Sequence, residues 1–312
     1  MDMRRLEVFC KVVELKSFTK AAEVLSLAQP TVSEHMRSLE ESLGGRLVER
    51  LGRQVIPTPL GKMFLPYALE ILRLRDSARQ AVELFQGRLS GHLLVGASTI
   101  PGTYLLPGFI GAFKAELKDI EITLKIGDTA EISEAVALGN LEAGLVGSAV
   151  SDRRLVQEEL FQDELVLAVY VGHPWAVRDA IAPSEIFDHP FVLRERGSGT
   201  RMTMNRTLAT HGVDPDRLTV VAEMGSTEAV RLGIRARIGA SVLSRLAVAE
   251  DVERGSLVQV PIDGILFRRS FRLVLRKNRE VSPLCKAFVE RLRSAASAAN
   301  EAAGHAPYTH AP

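Results

Sequence analysis

Cysteine and long apolar segments are scarce in this sequence. Its only cysteines are Cys10 and Cys285, far apart and each inside a helical pattern. Both are expected to be free, buried or half-buried thiols in a reducing compartment, and no Cys/His cluster has the spacing of a metal site. No apolar run reaches the roughly 18 residues that a membrane span needs, and the N-terminus lacks a secretory signal pattern. We therefore expect a cytoplasmic protein with no membrane association and no cofactor.

The chain also lacks an excess of charge of either sign. It has 39 Lys and Arg against 38 Asp and Glu, a net charge of +1. Residues 1–90 contain 14 basic and 11 acidic residues, and residues 91–312 contain 25 and 27. A difference this small does not by itself indicate nucleic-acid binding. Any such interpretation depends on where the basic side chains lie.

Catalytic spacings are missing as well. None of the seven histidines lies beside a Ser, Cys or carboxylate in a known catalytic arrangement. The stretch 197–199 lacks the third glycine of a dinucleotide-binding loop and the Gly-Lys-Thr ending of a phosphate-binding loop. The sequence therefore does not predict an enzyme.

Three short helical patterns open the chain. Apolar stripes run over about 4–15 and 18–25, and Ser17 is a good N-cap for the second helix. The third helix begins near Pro30, and its predicted apolar face consists of Val32, Met36, Leu39 and Leu43. Two β-like runs follow, over 46–50 and 54–56, with a turn between them. Residues 1–58 are therefore predicted to form a winged helix-turn-helix.

The third helix is the one expected to contact DNA. In a helix-turn-helix the second helix of the pair lies in the major groove, and the wing contacts phosphate or the minor groove. An alternative for Arg37 is an ion pair with Glu34 or Glu41 on a solvated face. The predicted DNA-binding residues are Gln29, Pro30, Thr31, Ser33, Glu34, His35, Arg37, Ser38, Arg50 and Arg53.

A long helix is predicted over the linker segment 59–88, with Thr58 as its cap and Pro59 at its first position. Arg75 interrupts an otherwise apolar seam with alternating spacings of four and three residues. The apolar members of the seam are Phe64, Ala68, Ile71, Ala78, Val82 and Phe85. Such a seam predicts a homodimer that forms through this helix. The alternative is that the face packs on its own domains.

From residue 91 to about 300, strands and helices alternate, which indicates an α/β domain with mostly parallel sheets. At about 200 residues, the domain is expected to divide into two lobes. We assign residues 91–165 plus 268–300 to one lobe and 166–267 to the other, approximately. The tail, 301–312, is predicted to be disordered.

The first 62 residues resemble the DNA-binding signature of LysR-type transcriptional regulators in order and spacing. The matching segments are Phe18–Leu25, Gln29–Ser33, Leu39–Glu40, Leu43–Gly44, Leu47–Arg50 and Thr58–Gly61. There are two departures. Val48 stands where the family often has Phe, and His35 stands where many members have Gln, which bears on the operator sequence.

The resemblance implies the rest of the architecture. Relatives dimerise through a long linker helix, commonly form tetramers, and bind promoter DNA; contact with RNA polymerase is a further expected partnership. Their sensor domain resembles the two-lobed periplasmic binding proteins of type 2, with a small effector held between the lobes. We expect the same of residues 91–300.

The best ligand-binding motif is the stretch 194–201, Arg-Glu-Arg-Gly-Ser-Gly-Thr-Arg, placed after a strand and opening a helix. Glycines let the backbone approach a ligand, and free N–H groups at a helix start favour an anion. Thr200 adds a hydroxyl and Arg201 a charge; the alternative is a turn capped by Ser198 with an outward Arg201. The Gly-Ser-Gly-Thr-Arg motif is similar to that of family members that sense anionic metabolites, including Calvin-cycle and cysteine-biosynthesis regulators.

A second motif, 98–102, also joins a strand end to a helix start, and by family position it should face the first. Ser148 and Thr227 are further candidates, each with a simple cap or turn as its alternative, and Asp128 with Thr129 is a similar pair. At Arg237, where relatives usually have Gly, the arginine either alters the turn or adds charge near the cleft. The predicted effector-binding residues are Ser98, Thr99, Ile100, Ser148, Gly199, Thr200, Arg201 and Thr227.

These patterns together predict a DNA-binding regulator whose promoter binding is modulated by a small anionic effector. One alternative is a solute-binding protein without a transcriptional role, which would leave the first 60 residues unexplained. A second alternative is an enzyme built on the α/β domain.

Overall fold

A computed structural model describes residues 2–51, 54–86 and 88–302. The chain divides into two compact units, one built around residues 1–88 and the other around residues 89–312. Each unit has its own hydrophobic core and is described separately.

The N-terminal unit is a three-helix domain with a β-hairpin and a long final helix. Its elements are α1 (Met3–Leu15), α2 (Phe18–Leu25), α3 (Gln29–Leu43), β1 (Val48–Leu51), β2 (Gln54–Pro57) and α4 (Pro59–Phe85). The predicted caps are confirmed: Ser17 accepts the Lys20 N–H, and Thr58 accepts the Gly61 N–H. Between α2 and α3 the chain turns at Ser26, which adopts a left-handed φ of 54°.

Val32, Met36 and Leu39 lie in the core of this unit, as the periodicity of α3 predicted. Leu43 does not, because it lies in the last turn before Gly44 ends the helix, and it is 38% exposed. The predicted apolar face is therefore one residue too long.

The long helix α4 does not present a continuous seam. Phe64, Ala68 and Ile71 belong to the core of the N-terminal unit, so for this half of the helix the packing alternative is correct. Arg75, the apparent interruption, forms an ion pair with Glu7 of α1. The stripe that stays exposed, called the distal stripe below, consists of Leu74, Ala78, Val82 and Phe85.

The C-terminal unit contains the remaining helices and strands. Its strands are β3 (Gly91–Ser98), β4 (Ile120–Gly127), β5 (Ala143–Val146), β6 (Leu155–Tyr170), β7 (Phe191–Arg194), β8 (Val220–Met224), β9 (Ser241–Ser244), β10 (Leu257–Val260) and β11 (Phe267–Arg276). Its α-helices are α5 (Leu106–Glu116), α6 (Thr129–Ala137), α7 (Gly199–Thr210), α8 (Thr227–Arg235), α9 (Arg245–Glu253) and α10 (Pro283–Ala302). A π-helical turn, Pro101–Leu105, precedes α5.

The main sheet has the strand order β10-β6-β11-β5-β3-β4, with β9 also paired to β6, while β7 and β8 form a separate pair. Strand β3 is parallel to β4 and β5, and β7 is parallel to β8. The pairs of β6 with β9, β10 and β11, and of β11 with β5, are antiparallel. The prediction of mostly parallel sheets is therefore wrong, because β6 and β11 each run against their neighbours.

Strand β6 is the longest strand described, with 16 residues, and it passes through two cores. Leu160 belongs to the core that contains α5 and α10, whereas Leu165 and Leu167 belong to the core that contains β7 and α7. Strand β11 returns the same way, with Phe267 in the second core and Phe271 in the first. The two lobes of this unit are thus joined by two antiparallel strands that are hydrogen-bonded to each other.

One helix was absent from the sequence prediction, and one strand was predicted only at its end. Helix α9 was not predicted, and only the last residues of β6 were, since 157–164 is rich in Gln, Glu and Asp and lacks an apolar alternation. The predicted disordered tail lies outside the described residues apart from 301–302, which belong to α10.

Candidate DNA-binding face and effector cleft

Helix α3 carries eight of the ten predicted DNA-binding residues, none of them fully buried. The exposed members are Gln29, Pro30, Thr31, Glu34 and Arg37, and the half-buried ones are Ser33, His35 and Ser38. All eight thus lie outside the buried face of α3, which consists of Val32, Met36 and Leu39.

Arg37 also forms the ion pairs that were its alternative. Its guanidinium lies 3.2 Å from a Glu34 oxygen and 3.7 Å from a Glu41 oxygen, with all three side chains about two-thirds exposed. Exposed pairs of this kind contribute about 0.2 to 1 kcal/mol. The pairing is therefore weak enough to exchange for a phosphate or a base edge.

The wing is tied to α3 by a residue that the sequence reasoning did not single out. A Glu40 carboxylate oxygen accepts the backbone N–H groups of Leu47 at 2.7 Å and Val48 at 3.2 Å. Arg50 belongs to β1 opposite Val55. The Arg50 side chain, and Arg53 altogether, lie outside the described residues.

A cleft of about 260 Å³, part of it open to solvent, lies within the C-terminal unit. It forms where β3, β4, β5 and β7 end, the edge at which open α/β sheets bind ligands. Its lining residues are Ser98, Thr99, Ile100, Asp128, Thr129, Gly147, Arg194, Ser198, Gly199, Thr200 and Arg269. Five of the predicted effector residues, Ser98, Thr99, Ile100, Gly199 and Thr200, thus lie together.

Glycines allow the two sides of this cleft to approach closely. A Cβ added at Gly199 would lie 3.4 Å from the Gly147 carbonyl oxygen and 3.4 Å from Thr129 Oγ1. A Cβ added at Gly197 would lie 3.0 Å from Asp128 Oδ2. The glycine loop that opens α7 therefore lies against the start of α6 and the end of β5.

Arg201 is not part of the lining, in contrast to its predicted role. Its Nη1 donates to the Arg194 carbonyl oxygen at 2.8 Å, and its guanidinium pairs with Glu223 on β8. The physical reason is helical geometry: Arg201 follows Thr200 by about 100° around α7, so only one of the two faces the cleft. Arg201 thus points away from the cleft, but it is largely buried and paired, and Ser198 makes no side-chain cap bond, so the alternative of a capped turn with an outward Arg201 does not describe it either.

Ser148 and Thr227 lie outside the lining too. Thr227 is buried, and its hydroxyl accepts a hydrogen bond from Arg194 Nη1. Ser148 follows the end of β5, and its Oγ is buried without a hydrogen-bond partner among the described residues. Arg237 does not line the cleft either; it occupies the left-handed region with φ 63°, and its guanidinium lies 5.8 Å from the centre of the Tyr170 ring.

Two buried arginines line the cleft that were not among the predicted effector residues, although Arg194 is the first residue of the predicted motif 194–201. Arg194 donates from Nε and Nη2 to the two Glu195 oxygens, at 2.8 and 2.6 Å. Arg269 on β11 donates from Nε to Asp163 Oδ2 at 2.7 Å and from Nη1 to Thr200 Oγ1 at 3.2 Å. Burial raises the pKa of Asp163 above its usual range, and the attraction of Arg269 opposes the rise. The alternation of β11 could have identified Arg269, because 267, 269, 271 and 273 share a buried face of that strand.

The cleft also offers unsatisfied hydrogen-bonding groups. Thr129 Oγ1 is buried without a partner among the described residues, and Ser198, the cap residue of α7, makes no side-chain cap bond. Helices α6 and α7 both begin at the cleft, so their first N–H groups and positive dipole ends lie there. These groups are suited to a small ligand with oxygen acceptors.

A winged helix-turn-helix followed by a two-lobed α/β domain with such a cleft defines a DNA-binding regulator that responds to a small molecule. The chain belongs to the LysR family. The profile for a bacterial regulatory helix-turn-helix protein of the lysR family matches residues 3–62, and the LysR substrate binding domain profile matches residues 86–297.

Curated relatives carry the same assignment. A probable RuBisCO transcriptional regulator of Nostoc sp. (strain PCC 7120) is 31% identical over 88% of this chain and 83% of its own. A protein of the same name from Cyanidioschyzon merolae is 31% identical over 92% of this chain and 96% of its own. The interpretation as a transcription regulator and not an enzyme is thereby confirmed.

Solved structures share the fold. A full-length OxyR variant from Pseudomonas aeruginosa has a TM-score of 0.74 at 22% identity, covering 95% of both chains. The regulatory domain of Synechocystis PCC6803 CcmR, in complex with 2-PG, has a TM-score of 0.61 at 25% identity, covering 66% of this chain and 98% of its own. The predicted fold class is confirmed. None of the helices in the described ranges is long and apolar enough to cross a membrane.

Proposed function

We propose that this regulator responds to a small anion bound in the cleft between its two lobes. The observation that carries the proposal is the convergence of two helix starts, several hydroxyls and the buried Arg269 on one small cavity. All of these are donors, which is what an oxyanion requires. The CcmR domain bound to 2-PG supports the same class of ligand. We infer that 2-PG or a metabolite of similar charge and size is the effector.

We assign the DNA-binding residues from the exposure of their side chains on α3. The exposed face of α3 enters the major groove, with Thr31, Ser33 and Arg37 placed for base or phosphate contact. The wing, including Arg50 and Arg53, contacts the backbone or the minor groove. Residues 1–58, 59–88 and 91–300 act as reader, linker and sensor in a cytoplasmic protein.

The distal stripe of α4 supports dimerisation through the linker helix. Leu74 is 71% exposed and Phe85 is 93% exposed, which is unfavourable for large apolar side chains in water unless a partner covers them. A second copy of the same helix supplies a matching stripe. Dimers then pair into tetramers on promoter DNA, where the complex contacts RNA polymerase.

Ligand binding regulates the promoter complex by shifting the balance between two conformations of the sensor. An effector achieves this only through different affinities for the two states. The cleft meets this condition because its lining comes from both lobes, so a change in their spacing changes the number of contacts to the ligand.

The test combines thermal unfolding with a promoter mobility-shift assay. We expect 2-PG to raise the melting temperature of the wild type, since a ligand that binds only the folded state stabilises it by mass action. Thr200→Ala should abolish that rise while keeping promoter binding without ligand. Thr210→Ala, on the exposed end of the same helix, is the matched control and should behave as wild type.

Two outcomes would contradict the proposal. One is the absence of a shift with 2-PG, inorganic phosphate or carboxylates. The other is the absence of any shifted promoter fragment at low salt, where phosphate contacts are strongest. Loss of both ligand and DNA binding in Thr200→Ala would instead make Thr200 a structural residue.

A further inference from the structure

The ion pair of Arg269 and Asp163 lies where the two interlobe strands run side by side. The two residues are directly opposite each other in the antiparallel pairing of β11 with β6. Their side chains are 3% and 1% exposed. The ion pair is therefore deeply buried, lies on the strands that join the two lobes, and includes Arg269, which lines the cleft.

The geometry of the pair leaves half of the hydrogen-bonding capacity of the buried guanidinium unused among the described residues. Nε and Nη2 of Arg269 both lie 2.7 Å from Asp163 Oδ2, so a single carboxylate oxygen takes one edge of the planar group. The other oxygen, Oδ1, accepts the Ser244 hydroxyl at 2.7 Å. Nη2 has no well-aligned hydrogen bond among the described residues. On the remaining edge, formed by Nη1 and Nη2, the structure shows only the long bond to Thr200.

The other arginine that lines the cleft has no such edge. Arg194 uses Nε and Nη2 in a bidentate pair with Glu195, and its Nη1 bonds Thr227. Arg201 is directed to Glu223. Arg269 is therefore the lining arginine whose second donor edge is available to a ligand.

An oxyanion matches that edge. Two parallel N–H groups of a guanidinium bind a carboxylate or phosphate with defined geometry. Buried N–H groups without acceptors are costly, so an acceptor placed there is favoured. Asp163 has the opposite effect, since its negative charge lies on the far edge of the same group and repels a second anion.

We infer that Arg269 anchors the effector through its Nη1–Nη2 edge, and that Asp163 is a counter-charge that limits the affinity and so sets the effector concentration to which the regulator responds. The inference rests on the proposed function and names a carboxylate or phosphate group as the part of the effector at this point. Arg269 lies on β11, one of the two strands that join the lobes, and it bonds Thr200 of α7. An anion bound to its unpaired edge therefore contacts a residue that connects both lobes.

The test measures the dissociation constants of 2-PG and inorganic phosphate for the full-length chain by calorimetry. Asp163→Asn removes the counter-charge with little change in shape, and it should tighten binding of both anions by about tenfold or more. Glu164→Gln removes the neighbouring carboxylate, which pairs with the half-exposed Arg245, and should leave the constants within about twofold. Arg269→Lys keeps the charge but loses the fork, and should weaken binding by about tenfold.

The possible outcomes distinguish the anchor, the counter-charge and the proposed function. If the wild type binds the anions and Asp163→Asn binds them equally or more weakly, Asp163 is not a counter-charge that limits the affinity. Unchanged binding in Arg269→Lys overturns the anchor, while the cleft remains a ligand site. A wild type that binds neither anion overturns the proposed function itself. Should Asp163→Asn unfold, Asp163→Ser is the second variant, and the anion should then raise its melting temperature more than that of the wild type.

Discussion

Arg237 illustrates, at the scale of a single residue, how one side chain can conflict with its backbone. It follows α8 in the left-handed region, with φ 63°, and its N–H bonds the Ile234 carbonyl. L-residues avoid this region because their Cβ is crowded, at a cost of about 1–2 kcal/mol. Of the two roles that the sequence left open, a charge in the cleft is not what the structure shows, since Arg237 does not line it, and the backbone at this turn has the left-handed conformation that a glycine favours.

Arg237→Gly should therefore stabilise the protein by about 0.5–1 kcal/mol, after the contact over Tyr170 and the extra freedom of the unfolded chain are subtracted. The midpoint of urea unfolding measures this. Arg254→Gly is the matched control, since Arg254 is similarly exposed but has an ordinary φ of −78°, and it should destabilise. A loss of stability at both positions would show that the left-handed turn is not strained.

His173 is the second residue with a measurable consequence. Burial and the proximity of His189 lower the pKa of His173 from 6.5 to about 4. Between these values the unfolded chain binds a proton that the folded chain does not. Stability is therefore fully present above about pH 6.5 and falls as the pH drops toward 4.

We expect the free energy of unfolding of the lobe that contains His173 to fall by on the order of 1 kcal/mol between pH 7 and pH 5, because His173 takes up a proton when the chain unfolds. His173→Asn keeps an acceptor for the Trp175 N–H, to which His173 Nδ1 bonds at 3.1 Å, and should lose less. Trp175 is the only tryptophan in the chain, so its fluorescence reports unfolding at this location. Equal losses in both proteins would remove His173 as the cause.

At the scale of the element, α4 divides into two halves with different surroundings. Its first half is covered by the N-terminal core, and its second half exposes the distal stripe. Helical periodicity alone cannot distinguish these halves, because both have the same apolar spacing. The ion pair of Arg75 with Glu7 marks the change from one environment to the other.

Val82→Glu should shift the chain from dimer toward monomer in sedimentation velocity, because it places a charge on the distal stripe, where we propose that the second copy packs. Val82 is 58% exposed in the single chain, so the change should not affect folding. Lys62→Glu, on the same helix but off the distal stripe, is the control and should stay dimeric. A dimer unaffected by Val82→Glu would assign dimerisation to another surface.

At the scale of the whole molecule, the proposed promoter-binding and ligand-binding residues lie in separate units of the chain. Thr200→Ala should therefore lose the ligand response while basal DNA binding remains. Each unit also contains one buried thiol. Burial raises the pKa of Cys10 to about 12 and that of Cys285 well above its usual range, so neither thiol is poised to react.

The sequence alone determined the features that depend on neighbours along the chain. The helices of the N-terminal unit, the caps Ser17 and Thr58, the hydroxyls of 98–99 at the cleft and the glycine turn at 199–200 all follow from local patterns. Such patterns work because helix faces and caps involve residues within about four positions of each other.

Tertiary structure decided the features that depend on distant pairing. The partner of Arg269 is 106 residues away, and the strand that carries Asp163 has no apolar alternation in that region. Only the fold shows that Arg269 lies in the cleft, that Arg201 is directed away from it, and that half of α4 is already covered. The reason is physical: the burial and charge environment of a side chain are set by the elements packed around it, and these come from parts of the chain that no local pattern connects.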